Sequence, residues 1–360
     1  MRTLFVLCVT FLLIACAVFA DTAVCYAVSG AGLFMRSVFP ALFPFLVLTN
    51  CLRRLGALNG RPFGKKSVFM RAMCLFLIAA LAGAPSGSIM ANSLCVHVND
   101  DDCHFAVRSI LSAFLNFSSP AFILGTVCSR MLGLTSFAHI SLLLVSHYGA
   151  GLILFAVYSL TNRKLLFGND YVLQGSADSI SGYGESCLSV LPGAVYDAVS
   201  AMLRIGGSIV FCSVVSGFII ESGALHILAA PVSAASIGLI EITAGIGMLS
   251  GLMVSLRIKL ALISFLVSFG GFCIMLQVMS IVRTKPVEYF FAKLFFALVS
   301  SAVCYLLFPL FFSGTQAVFG STALVLASRA AASMEIALVC VLCSGAAMLL
   351  AVFYTRKTRI

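Results

Sequence analysis

Glu241 is the residue best placed to do chemistry in this chain. It stands in Ile240-Glu241-Ile242-Thr243-Ala244-Gly245, inside an apolar run from 227 to 255. A carboxylate at membrane depth is costly, so it is a functional candidate by default. It can hold a coupling proton or cation, which makes it the ion-coupling candidate, or accept hydrogen bonds from a solute. Its structural alternative is a hydrogen bond that holds a turn together. Thr243 beside it suggests an opened backbone. A second group sits in Leu111 to Val127, LSAFLNFSSPAFILGTV, where Asn116, Ser118 and Ser119 interrupt an apolar run just before Pro120. Proline removes a backbone donor and disfavours a helical residue before it. In lipid the freed backbone groups need partners from protein or cavity water. A broken helix at membrane depth is therefore a candidate solute or ion site.

The same pattern returns in Leu262 to Val278, LISFLVSFGGFCIMLQV. Aligned without a gap, Gly271 falls on Pro120, and Ser268, Gly270 and Gly271 form the matching break. Gln277 lies about two turns on. A third group, Gly83, Pro85, Ser86, Gly87 and Ser88, interrupts the apolar residues 72 to 96. Free amides and half-helix N-termini there favour an anionic group, although small residues also pack helices. His147, in Ser146-His147-Tyr148-Gly149, is either a packed neutral ring or a proton relay.

No other grouping supports chemistry. The fourteen cysteines are scattered through apolar segments, where they act as small hydrophobes. Cys340 and Cys343 have redox spacing but sit in an apolar helix without a partner cluster. There is no convincing metal-ligand spacing and no nucleophile–base pair, so no enzymatic activity, cofactor or metal is expected.

Composition sets the class. The chain of 360 residues is 61% hydrophobic and 9% charged, with a mean hydropathy of +1.13. Soluble domains carry roughly 25% charged residues. The expected fold is an all-α polytopic membrane protein in a lipid bilayer. The net charge of +10 does not point to nucleic acid, because basic residues flank the spans and orient them. Residues 1–27 read as a first transmembrane helix or a signal-like segment, with 21–27 an outside loop. A first repeat follows over 28–160, a polar linker over 161–194, a second repeat over 195–312, and a last helix with a basic tail over 313–360. Each apolar flank of the 72–96 and 227–255 interruptions is shorter than the ~20 residues of a full span, so each reads as a re-entrant hairpin. The count is eight spans and two hairpins, with both termini cytoplasmic. Each half reads long helix, hairpin, broken helix, plain helix, and the halves enter from opposite sides. Such an inverted repeat places a solute site near the midplane between halves. Whether the chain forms a homo-oligomer is left open.

The ordered motifs are Phe39 to Phe45 (FPALFPF), Gly83-x-Pro85-x-Gly87, Asn116 to Pro120, His147-Tyr148, Glu241-Ile242-Thr243, Phe269-Gly270-Gly271 and Gln277-Val278. On these the chain resembles the sporulation integral membrane protein YlbJ family, which carries paired nucleoside-recognition (Gate) regions, over roughly residues 25 to 312. Ser119 stands where that family tends to be acidic, and Cys273 and Met275 where it tends to have Ser and His. The resemblance implies an arrangement similar to concentrative nucleoside transporters. It also implies transport of a small anionic solute, dipicolinate, across the outer forespore membrane during endospore formation. A nucleoside carrier and a non-transporting assembly factor for the spore envelope are the alternatives.

Overall fold

A computed structural model describes residues 2–55, 76–77, 79–80, 83–84, 87–88, 102–134, 136–161 and 187–312. Among them there is helix and no strand. Helix α1 (Arg2–Val18) is followed by α2 (Ala20–Leu33), a π-helical turn (Phe34–Val38) and α3 (Phe39–Arg54). Residues 21–27, expected as a loop, are therefore helical. Nothing in Asp21-Thr22-Ala23-Val24-Cys25 breaks a helix, and Asp21 lies in the first turn, where it suits the helix dipole. The bend expected from Pro40 and Pro44 takes the form of the π turn just before Pro40. A wider turn frees carbonyls that a proline cannot bond.

The first broken helix is α4 (Asp102–Leu115), an open stretch 116–119, and a π-helical segment Phe122–Met131. Helix α5 (Phe137–Thr161) is the plain span after it. Helix α6 (Cys187–Glu221) starts inside the expected linker and accommodates Pro192 within its first two turns. Helices α7 (Ala230–Ile240) and α8 (Ile242–Gly251) meet at Glu241. Their lengths, about 16 and 15 Å at 1.5 Å per residue, are each about half the hydrocarbon thickness. The two lie flat against each other, because a Cβ on Gly245 would fall 2.8 Å from the Ala234 carbonyl oxygen and nearer still to Gly238 backbone. The second broken helix is α9 (Leu256–Phe269) and α10 (Gly271–Ile281), and α11 (Pro286–Phe312) closes the described chain.

Among the described residues, five helices are long and apolar enough to cross a membrane: Ala20–Cys51, Phe137–Thr161, Val190–Glu221, Leu256–Met279 and Pro286–Phe312. The second piece of broken helix one, Phe122–Met131, and the pair Ala230–Ile240 and Ile242–Gly251 are shorter apolar helices. The expected hairpin over 72–96 is described only in part, and the expected span 331–354 lies outside the described residues.

Two packing units result. Helices α2 and α3 lie along α6. The contact is close where Gly30 meets Ser213 and Gly206 meets Phe34, since an added Cβ would fall 2.5 Å from Ser213 Oγ and 2.8 Å from the Phe34 ring. Arg54 and Asp197 pair at 3.0 Å at one end of this assembly, and Tyr26 donates to Glu221 at 3.0 Å at the other. Helix α11 is the spine of the second unit and packs on α9, α5 and α4.

Candidate solute site

Each break is met by the tip of the interrupted segment before it. In the second half, α9 ends at Ser268-Phe269, and Gly270 and Gly271 take φ of +83° and +75°. That left-handed backbone disfavours a Cβ, which explains two glycines where the first half has Ser119-Pro120. The turn brings the start of α10 against the last carbonyls of α7; a Cβ on Gly271 would lie 3.1 Å from Ile240 oxygen. A helix C-terminus thus faces a helix N-terminus, which their dipoles favour. The first half repeats this contact with different chemistry. A Cβ on Gly83 would lie 2.7 Å from Ser119 Cβ, and one on Gly87 would collide with the Leu115 carbonyl. Ser88 donates to Ser112 oxygen at 3.2 Å.

Most polar groups of the open stretch 116–119 have partners. Ser119 Oγ caps the next segment by accepting from Phe122 N–H at 3.2 Å. The Ser118 N–H donates to His147 Nε2 at 3.2 Å, its hydroxyl donates to Val267 oxygen at 2.9 Å, and its carbonyl accepts from Tyr148 at 2.7 Å. The Asn116 carbonyl accepts from Lys293 Nζ at 2.9 Å, and its amide donates to Tyr289. Among the described residues, Asn116 Oδ1 is buried without a partner. His147 is fully buried, and its Nδ1 lies 2.7 Å from Ser268 Oγ. Because a backbone N–H can only donate, Nε2 must be bare and Nδ1 carries the proton. One neutral imidazole therefore ties the first break to the last turn before the second.

Glu241 is extended at φ −136° and caps α8. Its two oxygens accept from Thr243 N–H at 3.0 Å, Ala244 N–H at 2.6 Å and the Thr243 hydroxyl. These bonds make Glu241 the N-cap of α8, and the Thr243 side chain shares in the cap.

Between the tips and the breaks lies a cavity of about 60 Å³. Its polar wall is Ser118 and Ser119 from the first break, Glu241 and Thr243 from the α7–α8 tip, and Gln277 from α10. Ala84 enters from the other tip, and Leu42, Phe45, Ile205 and Ile209 form the apolar side on α3 and α6. Of the other sequence candidates, Asn116, Ser88 and Ser268 stand behind this wall in the polar network. Gly83, Gly87, Gly270 and Gly271 shape the backbone that forms it. Pro85 and Ser86 lie outside the described residues.

Sequence reasoning missed Lys293. It is 3% exposed on α11, and its ammonium lies 4.9 Å from the centre of the Phe296 ring. The signal was available, since an ionisable side chain within an apolar span is itself a flag. Its place near the start of the span hid it, because lysines there normally reach for the interface. Among the described residues no group of three or more metal-ligating side chains comes together.

The comparisons bear on this arrangement. No protein-family model matches the chain, and no solved structure matches it. The sporulation integral membrane protein YlbJ of Bacillus subtilis (strain 168) is 26% identical over 303 residues, covering 74% of this chain and 72% of that protein. The chain is an integral membrane protein, all-helical among the described residues, and similar over most of its length to a sporulation integral membrane protein of the family its motifs resemble.

Proposed function

We propose that the chain is a membrane carrier for a small polar solute, and that the cavity between the two tips and the two breaks is its binding site. The observation that carries this is convergence: the lining is assembled from both halves, with Ala84 and the first break from one and the α7–α8 junction and α10 from the other. In this reading both interrupted segments are re-entrant hairpins, and the halves are an inverted repeat. Such an arrangement moves a solute by shifting one part against the other around a fixed site. The preferred solute is a small organic acid, with dipicolinate the member that the motif resemblance brings forward. Ser119 and Gln277, which line the cavity, can donate hydrogen bonds to an anionic group.

A specific observation favours a second reading, a neutral solute such as a nucleoside. The lining contains the Glu241 carboxylate and no cation among the described residues. Equilibrium binding of labelled dipicolinate and of uridine to purified protein separates the two readings. Ile209→Phe, which fills the apolar side of the cavity, is expected to weaken whichever binds. Unchanged binding in a folded variant would remove the cavity from the account.

A further inference from the structure

We propose that Lys293 is the site where a proton joins the anionic solute, so that acid and proton cross together. This rests on the carrier reading above and gives it a charge partner that the cavity lining lacks. Lys293 is buried in the middle of the α4, α5, α9 and α11 bundle. Among the described residues its amine has one hydrogen-bond acceptor, the Asn116 carbonyl, and one aromatic face, Phe296. No carboxylate accompanies it among the described residues. A permanent unpaired ammonium at this depth is strongly disfavoured. A neutral amine is not, and it makes the same hydrogen bond to Asn116, since an amine N–H donates in either state.

The amine is wired to the cavity. Asn116 is two residues before Ser118, which lines it, and two residues of chain reach at most about 7 Å. An anion at Ser118 and Ser119 therefore sits close enough, through low-dielectric protein, to stabilise a positive charge on Lys293. Linkage makes this mutual: if the anion favours the ammonium, the ammonium favours the anion by the same factor. A hydronium ion or buffer acid from the bathing water gives up the proton to the nitrogen lone pair as the solute enters, and the proton returns to water or buffer base as the solute departs.

The neighbours assign this role to Lys293 rather than to His147. His147 shares the Phe296 ring, 5.3 Å away, but its bare Nε2 already accepts from Ser118. A proton added there would face an N–H donor and break the clasp. From α5 the other titratable neighbour is Tyr148, and from α11 it is Tyr289, which receives the Asn116 amide. Ser268, the α9 residue bonded to His147, and the buried α4 residue Ser112 carry no charge. Glu288 sits at the start of α11, more than a turn before Lys293.

The test is proton uptake on binding. Dipicolinate is added to purified protein in weak buffer with a pH indicator, and affinity is measured across pH. Wild type is expected to take up protons as it binds and to lose affinity as pH rises. Lys293→Met is expected to take up none and to bind roughly tenfold or more weakly, within the usual range of coupling between sites. Lys293→Arg, which keeps a permanent cation and serves if the methionine variant does not fold, is expected to bind without proton uptake. Proton uptake by a folded Met or Arg variant equal to that of wild type would overturn the assignment. Binding by wild type without proton uptake would overturn it too and leave the carrier reading standing. No binding of dipicolinate or uridine by wild type would overturn the carrier reading itself.

Discussion

Gly87 offers the sharpest physical test of how the tips meet the breaks. A methyl group on Gly87 would lie 2.6 Å from the Leu115 carbonyl carbon and closer still to its oxygen. Comfortable carbon–carbon contact needs about 3.5 Å or more, and the still closer oxygen sets the larger demand, so tip and break must part by well over ~1 Å. The obstacle is backbone and cannot swing aside as a side chain could. Over-packing of this kind costs about 1–3 kcal/mol, and the rigid partner puts Gly87→Ala at the upper end. The displaced carbonyl belongs to the last residue of α4, directly before Asn116, so the polar network should loosen with it. Gly207→Ala is the control, because a Cβ there meets nothing within 4 Å and alanine favours helix. Thermal unfolding in detergent is the assay, with solute affinity measured beside it. Gly87→Ala should unfold at a clearly lower temperature and bind more weakly, whereas Gly207→Ala should match or exceed wild type. Equal stability of the two variants would refute the described contact between tip and break.

Three further outcomes follow from the same geometry. Glu241→Ala removes the α8 cap, leaves the Thr243 and Ala244 donors buried, and should cost about 2 kcal/mol or more; Glu241→Gln keeps one acceptor and should cost less in the same unfolding assay. Gly270→Ala must hold φ near +83° with a side chain and should lose roughly 1–2 kcal/mol, a prediction that fails if unfolding is unchanged. For Arg54 and Asp197, each a quarter exposed, a double-mutant cycle should return a coupling of no more than about 1 kcal/mol.

Much of the site could be read before any coordinates, for identifiable reasons. Pro120 and the Gly270-Gly271 pair interrupt apolar runs, and backbone freed in lipid needs partners, so both breaks declare themselves. Glu241 is conspicuous because a carboxylate is rare in such a run. Pairing is what sequence could not give. Nothing in the order of residues says that His147 on α5 bonds both Ser118 and Ser268, or that Lys293 reaches the Asn116 carbonyl. Those contacts depend on how α5, α9 and α11 pack, which lies beyond local periodicity. The start of α6 at Cys187 was obscured by Pro192, which punctuates sequence strongly yet is tolerated in the first turns of a long membrane helix. Glu241 also shows the limit of reading by residue type: its rarity marked a site, while its hydrogen bonds show a cap.

The most direct test is flux across a bilayer. Purified wild type is reconstituted in liposomes beside Gln277→Ala, whose native side chain lines the cavity from α10, and Gly207→Ala as a folded control. Entry of labelled dipicolinate is followed, with uridine in a parallel series. The account predicts saturable entry of one solute with wild type and with Gly207→Ala, and reduced entry of that solute with Gln277→Ala. Entry no faster than into protein-free liposomes, for both solutes and with protein that is folded, would contradict it.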